Sequence, residues 1–284
     1  MFQNKIIIGS AQFGNNYGIS NKNRILREKE CFRILNYCYR KKINIIDTSH
    51  NYGNSQKIIG NYIKANKDKK WNICSKVNFN NKIKVEDQII EMIKVFGKPP
   101  KILYFHYFED YLSLIKRKTL FKLCKKYKIK KIGVSLHKIN DLKKLKNLKN
   151  IDIIQMPLNI LDKRFIEAGT LKFLKKNKIR IYARSVFLQG MFFLKKYKKF
   201  NNKTKSKIVQ ITKIIKESNI QLGELSFLWV NKLNIIDKMI IGVDNLEQIK
   251  KNLRIKNNKK KAKMINEILK IKINDNKFLS PYKW

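Results

Sequence analysis

The sequence predicts an α/β protein, a single-domain (β/α)8 TIM barrel covering residues 1–284. Three observations carry this reading. Short β-rich apolar runs alternate with helical patterns along the chain, the signature of parallel βα units. Eight such units fit into 284 residues with no break in composition, which matches a barrel better than a doubly wound sheet. Neither GxGxxG nor GxxxxGK[ST] follows any strand, so the nucleotide fingerprints of the doubly wound folds are missing.

The first strand is Lys5–Gly9 (KIIIG), which runs into the glycine-containing loop SAQFGNNYG. Glu28–Lys41 is the first helix, because Cys31, Ile34, Leu35 and Cys38 recur at i, i+3, i+4 and i+7. Asn44–Asp47 is the second strand, and Ser55 is expected to N-cap a helix that buries Ile58, Ile59, Tyr62 and Ile63. Trp71–Lys76 is the third strand and Val85–Phe96 the next helix. Pro99 and Pro100 then break the chain before the fourth strand, Ile102–His106. Leu120–Tyr127 lies in the fourth helix, and Lys131–Ser135 is the fifth strand. A weakly helical Lys/Leu/Asn stretch leads to the sixth, Ile153–Gln155. Phe165–Asn177 reads as one helix and Arg180–Arg184 as the seventh strand. Lys195–Lys207 is expected to be a basic surface loop. Ile208–Glu217 and Glu224–Lys232 are two helices, Lys238–Ile241 is the eighth strand, and Leu246–Leu253 and Lys259–Ile271 are the closing helices.

Composition narrows the function classes. Hydrophobic residues make up 43%, enough for a sizeable core. No 18-residue apolar run and no cationic-then-apolar start is present, so a cytoplasmic protein without membrane attachment is expected. The four cysteines, Cys31, Cys38, Cys74 and Cys124, have no metal-type spacing; reduced core thiols and no metal site are expected. The net charge of +45 invites a nucleic-acid reading. Only nine of the 65 basic residues are Arg, however, and the lysines are spread along the chain. Salt-sensitive polyanion binding follows from such a charge; a specific nucleic-acid partner does not. The sequence leaves the oligomeric state open.

Barrel chemistry sits at the C-terminal ends of the strands. Those ends carry Asp47 and then Tyr52 after the second strand, Lys76 after the third and His106 after the fourth. Each alone is explained by solvation or turn chemistry. Together, on three consecutive strands, they form an acid–base set. Phe13, His50 and Tyr107 are candidate walls around it.

With these motifs in place, the chain resembles the aldo-keto reductase family over nearly its whole length. IIIGSAQFGNNYGI is similar to the family's opening strand and loop, and NIIDTSHNYGNSQKIIG to its DTA-x-x-YG-x-SE-x-x-LG segment. SKV and YFHYFED supply the matching Lys and His. KIGVS, IIQMPLN, RSVFLQG and IIGVDNLEQIKKNL resemble its cofactor-binding strand ends, in order. Departures are Gln56 for a glutamate, expected to affect only helix capping, Leu136 for an Asn, and Arg184 for an aromatic. Gly242 and Gln248 stand where many members carry a Lys and an Arg that grip the 2′-phosphate of NADPH.

The resemblance implies reduction of an aldehyde, ketone or keto-sugar carbonyl, with Asp47, Tyr52, Lys76 and His106 as catalytic residues. It implies NADPH, with NADH as the alternative, held by Gln12, Ser135, Gln155, Ser185, Gly242, Asn245, Gln248 and Asn252. The chemistry agrees. A phenol's ordinary pKa of about 10 is too high for easy proton loss at pH 7, and a nearby lysine ammonium favours the phenolate. Tyr52 would be the general acid, Lys76 its partner, Asp47 the anchor of Lys76, and His106 the group that orients the carbonyl. Sugar or polyol oxidation, or nucleotide binding with little turnover, are the rival readings. A small polar or sugar-derived substrate is expected, because the chain has no long C-terminal loop to close a larger pocket.

Overall fold

Ile6, Ile7 and Ile8 are all buried, although alternate strand residues point to opposite faces. Only a strand covered on both sides does this, and the covering here is a barrel interior on one side and helices on the other. The computed structural model describes residues 2–19, 24–144, 148, 150–193, 201–216, 218 and 220–280.

Eight parallel strands close in sequence order: β1 (Ile6–Gly9), β2 (Ile45–Asp47), β3 (Asn72–Val77), β4 (Ile102–Phe105), β5 (Lys131–Ser135), β6 (Ile153–Pro157), β7 (Arg180–Arg184) and β8 (Lys238–Gly242). Closure is made by β1 and β8, paired from Ile6 with Met239 to Gly9 with Gly242. The (β/α)8 barrel expected from the sequence is therefore the fold. An inner cluster of Ile7, Cys74, Ile102, Tyr104, Ile153, Tyr182 and Ile240 fills the barrel. The larger core lies between strands and helices, where Ile34, Leu35, Ile59, Ile89 and Met92 are completely buried. All four cysteines are free and buried, as expected.

Register sets the height of each side chain. Gly9 pairs with Asp47 and with Gly242, so these three share one level near the C-terminal rim. Ser135 pairs with Gln155, and Pro157 with Arg184. Lys76 lies inside β3 rather than at its end, and His106 follows β4 directly.

Three elements differ from expectation. The helix Ser55–Ala65 is capped at Asn54, and Ser55 is its first residue. The Ser55 hydroxyl instead donates to Ser10 Oγ at 2.7 Å and lies 3.1 Å from Thr48 Oγ1, tying the helix to two loops. The segment 165–177 is two helical pieces, Arg164–Glu167 and Thr170–Lys176, because Gly169 adopts a left-handed φ of 71° and ends the first. The basic stretch 195–207 is helical from Asn202, at the start of the helix Asn202–Lys216; residues 195–200 lie outside the described residues. Asn201 Oδ1 accepts the Thr204 N–H at 2.8 Å, and Asp275 in turn holds Asn201 and Thr204 at 2.6 and 2.9 Å. This is a helix start completed by a residue far along the chain.

Candidate active site

Asp47 ends β2 with only 3% of its surface exposed. A carboxylate so placed must be paired. Lys76 Nζ donates to Asp47 Oδ1 at 2.5 Å and to the Thr48 carbonyl at 3.0 Å, while Gln155 Nε2 donates to Asp47 Oδ2 at 2.8 Å. Ser10 fixes the backbone there: its N–H and hydroxyl both donate to the Asp47 carbonyl, at 3.0 and 2.9 Å. Burial works against the Lys76 ammonium, but Asp47 and Tyr52 outweigh it and hold its pKa above the usual lysine value.

The turn after β2 carries Tyr52 above this pair. Lys76 Nζ lies 5.2 Å from the centre of the Tyr52 ring. The turn is held by close approach: a Cβ on Gly14 would stand 2.0 Å from the Tyr52 carbonyl oxygen, so only glycine fits there. Gln56, one position after Ser55, donates to Ser75 Oγ at 2.8 Å and is buried. Its role is to tie the helix to β3, and the expectation of a mere capping effect is corrected.

His106 stands edge-on to Tyr52, ring centres 6.4 Å apart, with Nδ1 3.2 Å from Ser49 Oγ. Behind it is a second histidine. Arg184 Nη2 donates to His137 Nδ1 at 2.9 Å, which leaves the proton on Nε2, 3.3 Å from the His106 carbonyl oxygen. Burial, with Lys76 and Arg184 adding, pushes the His106 pKa down to about 3. Burial, then Arg184 and His106, push that of His137 down to about 2. Both rings are neutral at physiological pH.

A cavity of about 360 Å³ opens from Asp47 and Tyr52 toward the helix Leu246–Arg254. Asp47, Tyr52, Gln12, Gln155, Ser185, Gly242, Gln248 and Asn252 all line it. Lys76 is buried behind Asp47, and His106 lies beside Tyr52 and off the wall. Ser135 and Asn245 are also off the wall. Ser135 is 1% exposed, its hydroxyl 3.5 Å from His137 Nε2. Asn245 caps the helix Leu246–Arg254, accepting the Gln248 N–H at 2.8 Å. Gln248 clamps Asp244, accepting its N–H at 2.7 Å and donating to its carboxylate at 3.2 Å. At Gly242 a Cβ would fall 2.5 Å from the Gln12 amide oxygen, so the Gln12 side chain packs directly over this glycine.

Of the other candidate walls, Phe13 is fully buried in the core, and His50 lies 3.6 Å from Glu91. Tyr107 stacks on His106 at 4.8 Å and on His137 at 6.1 Å. Sequence reasoning missed Tyr17, Gln189, Gln221 and Glu224 as cavity residues. Tyr17 lies in the loop after β1, where position alone was a signal; the rest come from loops and a helix start with no local mark. Among the described residues no cluster of three or more metal-binding side chains occurs, and no helix is long and apolar enough to cross a membrane.

The sequence model of the aldo/keto reductase family matches residues 5–273, which is most of the chain. The chain belongs to the aldo/keto reductase family. Its membership marks it as an oxidoreductase. The fold is similar to that of the glycerol dehydrogenase from Gluconobacter oxydans, at 17% identity, TM-score 0.70, 95% of this chain and 93% of that one. It is also similar to an aldo-keto reductase from Bacillus halodurans in its holo form, at 15% identity, TM-score 0.71, 93% and 91% of the two chains. At such identities the likeness concerns the fold. No curated protein matches this aldo/keto reductase closely enough to count as a relative.

Proposed function

We propose that this aldo/keto reductase reduces a small carbonyl compound to an alcohol with a nicotinamide cofactor, Tyr52 being the proton donor. The observation that carries the proposal is the buried Asp47–Lys76 pair beneath the Tyr52 ring, at the end of the cavity. The cavity residues suit a dinucleotide. Gln12 occupies a cradle that a Cβ at Gly242 would fill, Gln155 and Ser185 offer hydrogen bonds near Tyr52, and Gln248, Lys251 and Asn252 line the far end. When bound, the reduced nicotinamide supplies the hydride that no side chain can.

The chain's own residues do the rest. Tyr52 holds the proton that the carbonyl oxygen takes up, a role that contributes ~10²–10⁴-fold. Lys76, kept charged by Asp47, stabilises the phenolate left behind. His106 is neutral, so its part is to orient the carbonyl by hydrogen bonding and not to donate the proton. Gln155 holds Asp47 in place from the opposite side of the barrel. NADPH is the proposed cofactor, favoured over NADH by a modest factor, and cytoplasmic action on a small carbonyl substrate, without a specific nucleic-acid partner, is part of the same reading.

The test is a screen of aldehydes, ketones and keto-sugars that follows the absorbance of NADPH and NADH. Turnover that disappears in Tyr52→Phe supports the proposal. Cofactor binding without turnover on any carbonyl or alcohol would leave the nucleotide-binding reading in its place.

A further inference from the structure

Arg184 ends β7 and lines the same cavity as Asp47 and Tyr52. Its guanidinium is only partly satisfied. Nη2 donates to the Leu136 carbonyl at 2.8 Å and to His137 Nδ1 at 2.9 Å, and Nη1 to Ser185 Oγ at 3.3 Å. Nε is buried without any hydrogen-bond partner. Among the described residues no carboxylate lies within ion-pair distance of it. The two carboxylates whose charge it feels are committed elsewhere: Asp47 to Lys76 and Gln155, Asp162 to Arg164 through two bonds of 2.8 Å.

The charges around the guanidinium leave it without a counter-ion. Asp47 and Lys76 cancel, and His106 and His137 are neutral, so the cavity end keeps one net positive charge on Arg184. Burial lowers the Arg184 pKa, the direction expected of a guanidinium drawn out of water with no anion beside it. A half-buried cation with a buried, unpartnered Nε and no counter-charge is costly, and a planar fork with a spare N–H matches a carboxylate or phosphoryl group.

We infer that Arg184 is an anion-recognition residue of this cavity, and that the carbonyl substrate carries a carboxylate or phosphoryl group which pairs with it. This rests on the reductase reading and deepens it. Tyr17 and Tyr52 both lie within electrostatic reach of the guanidinium, so an anion bound there keeps the rest of a small substrate beside Tyr52. The overall charge of +45 attracts any anion to the surface. Arg184 differs in being inside, and one substitution removes its contribution while leaving the general field almost intact.

The experiment compares matched substrates with the full chain and NADPH: succinic semialdehyde against butanal, and glyceraldehyde 3-phosphate against glyceraldehyde. Wild type should prefer at least one anionic member in kcat/KM by about 10–100-fold, the range of a hydrogen bond to a charged group. Arg184→Met should bring that ratio close to one, and Arg184→Lys, which keeps the charge and loses the fork, should retain part of it. Circular dichroism melts establish that each variant folds. In parallel, calorimetry measures succinate and inorganic phosphate binding to wild type and variants, with and without NADP⁺. If no carbonyl is turned over, the reductase reading falls, and this binding arm still decides the anion site: loss in Arg184→Met supports it, and equal or absent binding overturns it. Cofactor affinity is titrated as well. A preference that survives in Arg184→Met, no preference in wild type, or a variant that loses only cofactor affinity, overturns the assignment to substrate; the last outcome gives the anion to the cofactor's phosphates.

Discussion

Gly14 and Tyr52 touch through their backbones: a single methyl at Gly14 would stand 2.0 Å from the Tyr52 carbonyl oxygen and 2.4 Å from the Ser55 N–H nitrogen. The loop after β1 is therefore the template for the turn that presents Tyr52. Gly14→Ala should displace that turn and lower turnover by more than tenfold, since small misplacement of a reacting group is costly. Overpacking of this kind costs roughly 1–3 kcal/mol. Denaturant unfolding beside steady-state kinetics checks it; unchanged kinetics would show that the contact does not position Tyr52.

Tyr52→Phe should reduce carbonyl turnover by ~10²–10⁴-fold, the value of a lost general acid. Cofactor affinity should change little, because Tyr52 makes up only one edge of a long cavity. Turnover close to that of wild type would remove Tyr52 from the reaction.

The strand ends were legible because apolar β-rich runs stop at Asp47 and at His106, and polar groups there have few structural reasons to exist; Lys76 lies one residue before the end, inside β3. The eight-unit rhythm was legible for the same reason. What stayed hidden is what depends on distant partners. Ser55 looked like a cap from its neighbours, but its hydroxyl is taken by Ser10, and Gln56 reaches Ser75. The start of the helix Asn202–Lys216 depends on Asp275. Arg184 read as a departure from a familiar pattern; its bonds to Leu136 and His137 exist only once β7 and the loop after β5 are adjacent.

Lys76→Met should both slow catalysis and destabilise the fold, because Asp47 then stays buried with its charge unpaired by an ammonium. Breaking such a pair typically costs about 3–5 kcal/mol. The sign with pH follows from the raised Lys76 pKa. Its stabilising contribution is fully present below the ordinary lysine value of 10.5 and is lost only as pH rises past that. The gap in unfolding free energy between wild type and Lys76→Met should be constant from pH 7 to about 10 and shrink above. A gap already closing at pH 8 would contradict it.

His137→Gln should make the fold less sensitive to acid. His106 and His137 are neutral in the fold, with pKa values near 3 and near 2 against an ordinary 6.5. Below 6.5 the unfolded chain takes up protons that the folded chain refuses, so stability falls with pH until the folded values are reached. Each such histidine contributes a slope of ~1.4 kcal/mol per pH unit across that window. Urea unfolding at pH 7, 5 and 4 should show the variant losing less stability than wild type. Parallel losses would mean that His137 is protonated in the native protein.

The last expectation concerns the 2′-phosphate, and it turns on Lys251. A dinucleotide whose reacting ring lay by Tyr52 would place its adenosine end among Gln248, Lys251, Asn252, Asp244 and Glu224, which line the same cavity. The charges there are mixed. Asp244 is held by Gln248, and burial raises its pKa above the ordinary carboxylate value. Glu224 is shared between Lys251 at 3.6 Å and Lys261 at 3.2 Å. Lys251 donates to Gln221 at 2.9 Å and is more than half exposed, so its ammonium can swing to a phosphate with little desolvation. Lys250 is the weaker candidate, being paired with Glu247 at 2.7 Å. The exposed Lys251, with Glu224 held by the nearer Lys261, favours NADPH by a modest factor, about tenfold or less, as expected of an exposed charge pair. Fluorescence titration of both cofactors should show this preference in wild type, its loss in Lys251→Ala, and its weakening as salt rises. Equal or tighter binding of NADH by wild type would show instead that the Asp244 and Glu224 carboxylates decide the adenosine end.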